Sequence, residues 1–149
     1  MNEVKIRSMT LADYDDVYAL WLSCKGMGLN NLDDSKDGIA RFLERNPETC
    51  FVAMDGEKLI GVIMAGHDGR RGYIYHTAVS PEHRRRGIAK RLTEAAVNVL
   101  KGFGISKVAL LVFERNKDGN EFWERLGFTA REDVVYRNKE LADIIRIDT

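Results

Sequence analysis

Val79-Ser80-Pro81-Glu82-His83-Arg84-Arg85-Arg86-Gly87-Ile88-Ala89-Lys90-Arg91 joins a strand-like run to a long amphipathic segment. Before it, Tyr73 to Val79 is rich in β-branched and aromatic residues and reads as a strand. After it, Ile88, Leu92, Ala95, Ala96, Val99, Leu100 and Phe103 recur at three- and four-residue steps, and Gly102 and Gly104 mark the end of that helix. Val108 to Phe113 is a continuous apolar run of strand length, expected to be covered on both faces. Strand, helix and strand make a βαβ unit, and the quoted stretch is its first connection.

The flanking sequence completes a regular order. Val4 to Met9 alternates as a first strand. Thr10 is placed to cap a helix with Asp13 in its first turn and Val17, Leu20, Trp21 and Cys24 as its apolar stripe. Lys25 to Asn31 reads as a loop, and a short helix with Ile39, Phe42 and Leu43 on one face ends at Asn46-Pro47. Cys50 to Met54, the Asp55-Gly56 turn and Leu59 to Ala65 form a hairpin, and Gly66, Gly69 and Gly72 turn the chain into the fourth strand. Lys117 to Leu126 reads as a helix burying Phe122 and Leu126, with Gly127 as its C-cap. Phe128 onward, through Val134, Val135 and Tyr136, reads as a last strand. The predicted order is β-α-α-β-β-β-α-β-α-β, a mixed α/β sheet in one domain over residues 1–149.

Bulk properties narrow the function classes. The chain has 149 residues, and Lys plus Arg equals Asp plus Glu at 23 each. That neutrality, with no second basic stripe, argues against nucleic acid as a partner and against a polybasic membrane grip. No 18-residue apolar run is present. Cys24 and Cys50 are too few for a disulfide scaffold, and a core of this size calls for no metal. The expectation is a cytoplasmic domain without a membrane segment.

Chemistry concentrates in the quoted stretch. Glu82 to Arg91 holds five basic residues against one acidic. Gly87 allows close approach of a ligand to the backbone, and Ala89 is too small to obstruct it. Both sit where a helix begins, so several N–H groups point out of its positive end. A solvated basic helix start is the plain alternative. The position between a strand and a long helix, with glycine at the entry, favours a phosphate or diphosphate instead. The P-loop pattern and the dinucleotide glycine fingerprint are both missing.

Arg84-Arg85-Arg86-Gly87-Ile88-Ala89 resembles the R/Q-x-x-G-x-G/A signature of the GNAT superfamily of N-acetyltransferases. Thr77-Ala78-Val79-Ser80-Pro81 is similar to the end of that family's fourth strand, and Asn116, Trp123 and Leu126-Gly127-Phe128 to its N-x(6)-Y-x-x-x-G-F segment. The resemblance implies a mostly antiparallel sheet splayed between strands 4 and 5, and acetyl-CoA as cosubstrate. It places the diphosphate on Arg84, Arg85, Arg86, Gly87, Ile88, Ala89 and Lys90. Ala78, Val79 and Ser80 would lie along the pantetheine arm, with the Val79 N–H on the thioester carbonyl. Asn116, Gly119 and Trp123 would border the same arm. The acceptor is then a small-molecule or peptide amine, and the protein a monomer or homodimer. A non-catalytic CoA-binding regulatory module on the same fold is the alternative, prompted by one departure.

That departure is Trp123, which stands where the family has its acid tyrosine. An indole N–H donates a hydrogen bond but does not titrate usefully. Replacement candidates lie on the fourth strand. Two-residue alternation puts Tyr73, Tyr75 and Thr77 on one face and Ile74 and His76 on the other. In some relatives of that family, acid or base residues lie four and six positions before the strand end, which here are Tyr75 and Tyr73, so the resemblance favours Tyr75. His76 has the more suitable titration range, but it points away unless a bulge intervenes. Tyr136, or a water relay with no side chain, are further possibilities. Between Leu11 and Ile60, ten acidic residues face five basic ones, either a solvated helix surface or a rim that attracts a cationic amine.

Overall fold

The computed structural model describes residues 3–147. Its five strands lie in chain order, β1 (Val4–Ser8), β2 (Phe51–Asp55), β3 (Lys58–His67), β4 (Gly72–Val79) and β5 (Val108–Leu110). All neighbours are antiparallel except β4 and β5, which are parallel and joined through α3 (Ile88–Gly102). A 3-10 turn (Leu11–Asp13), α1 (Tyr14–Ser23) and α2 (Lys36–Arg45) lie between β1 and β2. A last helix, α4 (Lys117–Arg125), follows β5. Among the described residues no helix is long and apolar enough to cross a membrane.

Each face of the sheet carries its own core. On one face Val17, Leu20 and Trp21 of α1 and Ile39 and Leu43 of α2 pack on Val52, Val62, Met64 and Ala78. On the other, Ile88, Leu92, Ala96 and Leu100 of α3 pack on Ala53, Ile63, Ala65, Ile74 and Val79. Fully burying one such leucine is worth roughly 1.5–3 kcal/mol, so α3 is held mainly by this stripe. Gly61 makes the contact possible, because a Cβ there would sit 3.1 Å from Leu92 and 3.3 Å from Ile88.

Three sequence expectations are corrected. β5 covers Val108–Leu110 rather than reaching Phe113, and Leu111 is 70% exposed, so the strand is not covered on both faces. The final strand does not form among the described residues. Val134, Val135 and Tyr136 are exposed, and Arg131 pairs with Asp133 two residues away, so the segment buries nothing to offset the entropy of a ladder. In α4, Phe122 and Leu126 are only half-buried. The chain end docks elsewhere: Asn31 N–H donates to the Ile145 carbonyl and Ile147 N–H to that of Leu29.

Two local devices fix the α1/α2 side. The Arg7 guanidinium makes paired bonds to Asp13 at 2.8 and 2.9 Å, and Thr10 N–H donates to the same carboxylate at 2.9 Å. Between α1 and α2, Asn30 Oδ1 accepts from Leu32 and Asp33, and Ser35 Oγ caps α2 by accepting from Gly38. Gly38 is obligatory, because a Cβ there would collide with the Leu32 and Asp33 carbonyls.

Gly38→Ala should therefore cost about 1–3 kcal/mol, the usual range for overpacking, in a urea unfolding curve. The guanidinium and the backbone bond hold the Asp13 carboxyl below its ordinary 3.8. A depressed native carboxyl stabilises above the unfolded value and loses that contribution as pH falls through the native one. Asp13→Asn should lower stability at neutral pH and flatten the decline below about pH 4 in the same assay.

Candidate active site

The parallel ladder of β4 and β5 runs only from Gly72–Val108 to Ile74–Leu110. Beyond Ile74 the two strands part, so Tyr75 to Val79 has a main-chain edge that β5 does not cover. Ser80 N–H donates to the Ile60 carbonyl at 2.8 Å, which makes Gly61 and Val79 the non-hydrogen-bonded pair of the antiparallel ladder. The N–H and C=O of Val79 therefore point away from β3, into the splay. Its carbonyl accepts from Arg84 Nε at 3.3 Å and lies 3.6 Å from Cys24 Sγ. A cavity of about 590 Å³ opens beside this edge, lined by Leu22, Cys24, Lys25, Gly26, Phe113, Arg115 and Asn116.

The basic loop lies at the same end. Its backbone reaches the left-handed region at Arg85 (φ 65°) and Gly87 (φ 72°), and Gly87 is the N-cap of α3. Arg91 N–H makes the first intrahelical bond, to the Gly87 carbonyl. The N–H groups of Ile88, Ala89 and Lys90 have no partner within the helix, Gly87 has no side chain to cap them, and no acidic residue stands in the first turn. Arg85 and Arg86 are exposed and make no ion pair among the described residues, and Lys90 lies 4.0 Å from Glu94. These groups suit an anion, offered by backbone donors and two free cations.

Other predicted residues have partners of their own. Arg84 turns back onto the β4 terminus, with Nη2 3.6 Å from Cys24 Sγ. The Ile88 side chain is core, and the Ser80 N–H is already engaged. Asn116 spends its side-chain oxygen capping α4, accepting from Gly119 N–H at 3.0 Å, while still lining the cavity. A Cβ on Gly119 would lie 2.5 Å from Asn116 Nδ2, so a side chain there would push the Asn116 amide aside. Trp123 packs between Phe122 and Phe128 on the α3 side of the sheet, outside the cavity lining.

The fourth strand departs from simple alternation. Ile63 pairs with Thr77 but Ala65 pairs with Ile74, so Met64 alone faces both Tyr75 and His76. This bulge turns His76 onto the face of Tyr73 and Tyr75 and sends Thr77 to the α3 side, the reverse of the two-residue reading. His76 Nε2 lies 2.7 Å from Asp34 Oδ1, and the imidazole meets Trp21 edge-on at 4.9 Å. Asp34, 3% exposed, also accepts at Oδ2 from Asn30 N–H at 2.8 Å, and its carbonyl accepts from Tyr14 Oη at 2.7 Å. The sequence reading had Asp34 only as one charge of an acidic rim. The signal that singles it out is the bulge, which no spacing displays.

Tyr75 sits beside this pair, edge-on to Phe42 at 5.5 Å and tilted against Tyr73 at 6.3 Å. Partial burial raises its phenol above 10, with Tyr73, Tyr136 and Asp33 adding to the rise. That shift favours the protonated phenol at neutral pH, a form that donates rather than accepts.

Residues 14–128 match the Acetyltransferase (GNAT) family. An acetyltransferase of Photorhabdus laumondii is 33% identical over 142 residues, covering 94% of this chain and 98% of its own. One of Sodalis glossinidius is 31% identical over 140 residues, covering 94% and 97%. Among solved structures, the PaiA N-acetyltransferase of Thermoplasma acidophilum in complex with coenzyme A superposes with a TM-score of 0.77 at 19% identity, over 97% of each chain. A ribosomal-protein-alanine N-acetyltransferase of Brucella melitensis gives 0.70 at 22%, over 93% and 99%. With the splayed sheet, the uncapped helix start and the family match over most of its length, the chain belongs to the GNAT acetyltransferases, enzymes that move an acetyl group from acetyl-CoA to an amine.

Proposed function

We propose that this chain binds acetyl-CoA along the open edge of β4 and passes its acetyl group directly to a primary amine held on the α1/α2 face. The observation that carries the reading is the position of Val79. Its N–H is directed into the splay, beside the 590 Å³ cavity and one short loop away from the uncapped start of α3. A thioester carbonyl at that N–H gains a donor that strengthens as the tetrahedral oxyanion forms. The diphosphate then meets Arg85, Arg86 and the N–H groups of residues 88–90, while the pantetheine arm passes Asn116, whose Nδ2 remains a donor. The solved relatives that carry coenzyme A support the cosubstrate at the level of the fold. Tyr73, Tyr75 and Phe42 form an aromatic wall on the acceptor side, near the acidic Asp33, which suits an amine that arrives as a cation.

Thermal unfolding tests the cofactor site. Acetyl-CoA at a hundred times its Kd should stabilise the fold by about 2.7 kcal/mol, a rise of roughly 5–10 °C. Gly87→Glu meets no atom within 4 Å, so its fold cost is the left-handed backbone, roughly 1–2 kcal/mol, partly offset by a carboxylate at the helix start. That variant should fold and lose the shift. A shift of full size would move the phosphates off this loop.

The cysteines give an independent check. Burial in the sheet pushes the Cys50 thiol up to about 12, whereas Cys24 lines the cavity. In the native protein iodoacetamide should modify Cys24 slowly and spare Cys50, and acetyl-CoA should protect Cys24. Peptide mass spectrometry reads both sites, and equal labelling with and without cofactor would remove Cys24 from the cofactor path.

A further inference from the structure

We propose that His76 and Asp34 form the proton-accepting pair of this transferase, with His76 Nδ1 as the general base and Asp34 as the residue that positions it; the inference rests on the acetyl-transfer reading above. The pair is built on the acceptor face and from three separate elements. The β4 bulge delivers His76, the turn before α2 delivers Asp34, and α1 supplies both the Trp21 edge against the ring and the Tyr14 hydroxyl on the Asp34 backbone. Three contacts hold Asp34: Oδ2 takes Asn30 N–H, Oδ1 takes His76, and the carbonyl takes Tyr14.

This wiring decides which nitrogen is free. A carboxylate at 2.7 Å from Nε2 holds the hydrogen there, so Nδ1 carries the lone pair. The side chain is 18% exposed, so the ring is open to solvent on one side. The other two histidines are placed for nothing comparable. His67 lies against Phe103 on the last rung at the far end of the β3–β4 ladder, and His83 is buried before α3 beside Asp55, with its own Nδ1 sealed.

The step balances without a further reagent. The amine nitrogen gives a proton to His76 Nδ1 as its lone pair forms the C–N bond, and the imidazolium is offset by Asp34. The oxyanion collapses, the C–S bond breaks, and the coenzyme thiolate takes the proton that His76 holds. An amine that arrives as an ammonium ion first gives its extra proton to His76 Nδ1, which relays it to solvent and is then free to accept again.

The test separates proton acceptance from structure by varying the nucleophile. Thiol release from acetyl-CoA is followed at neutral pH with n-butylamine, which is almost wholly protonated, and with hydroxylamine, which is almost wholly neutral. Asp34→Asn and His76→Gln should each cut the butylamine rate by roughly 10²-fold, the scale of general-base catalysis, and the hydroxylamine rate by under about ten-fold. Both variants should retain the acetyl-CoA melting shift, which shows that they fold and bind. His76→Gln leaves the Asp34 turn intact, so it decides the matter if Asp34→Asn proves unstable. Equal losses with both nucleophiles, or none, overturn the pair while leaving acetyl transfer standing. A wild-type protein that binds acetyl-CoA yet releases no thiol with either amine overturns the transfer reading itself, and the pair with it.

Discussion

A strand edge left without a ladder calls for other partners, and the open edge of β4 is the constraint on which the rest of the molecule turns. β5 supplies three residues of ladder and then leaves, so the N–H and C=O of Val79 point into space no strand fills. Backbone groups left without hydrogen bonds away from water cost about 1–3 kcal/mol each. Part of that demand is met internally, since the Val79 carbonyl receives Arg84 and Cys24. The N–H is not offered the same internal answer. A ligand whose arm runs along β4 completes the sheet there, and the sheet in turn places the ligand's carbonyl at a fixed donor.

The bulge on β4 is the companion device. It inserts one residue at Tyr75–His76, just where the β5 ladder ends, and turns the strand so that these two adjacent residues share the face of Tyr73. Without it His76 would lie under α3 among Ile74, Leu92 and Leu100, where an imidazole would be an orphan polar group. With it the ring reaches Asp34, a residue fixed by the Asn30 side chain, the Ser35 cap and the bare Gly38. Splay and bulge thus set the two sides of the proposed site, with the cofactor assigned to the edge and the proton acceptor to the face.

The sequence made much of this legible because the relevant signals are local. The helical stripe from Ile88 to Leu100, the Asp55-Gly56 turn and the glycine at the start of α3 each express their structure within a few residues. The last strand was misread because Val134, Val135 and Tyr136 have the right propensity, yet the segment stays exposed and joins no ladder among the described residues; pairing is a tertiary fact. Asp34 was hidden among six aspartates between Asp13 and Asp37 for a similar reason. Its role depends on a register shift in a strand more than forty residues away, which leaves no mark on the chain between.

Trp123 looks at first like a deficit, since the family's tyrosine acid is missing there. Its indole is instead committed to Phe122 and Phe128 on the α3 side of the sheet. The chemistry does not require a second titrating group to replace it. A coenzyme thiol, with a pKa near 8.5, leaves as a thiolate far more readily than an alkoxide would, and the proton it finally takes is the one the base has just removed from the amine. A single imidazole that accepts from nitrogen and returns to sulfur closes the cycle, provided a carboxylate steadies it while it is charged. That condition is what Asp34 meets, so the loss of the tyrosine and the presence of the buried pair are two halves of one solution.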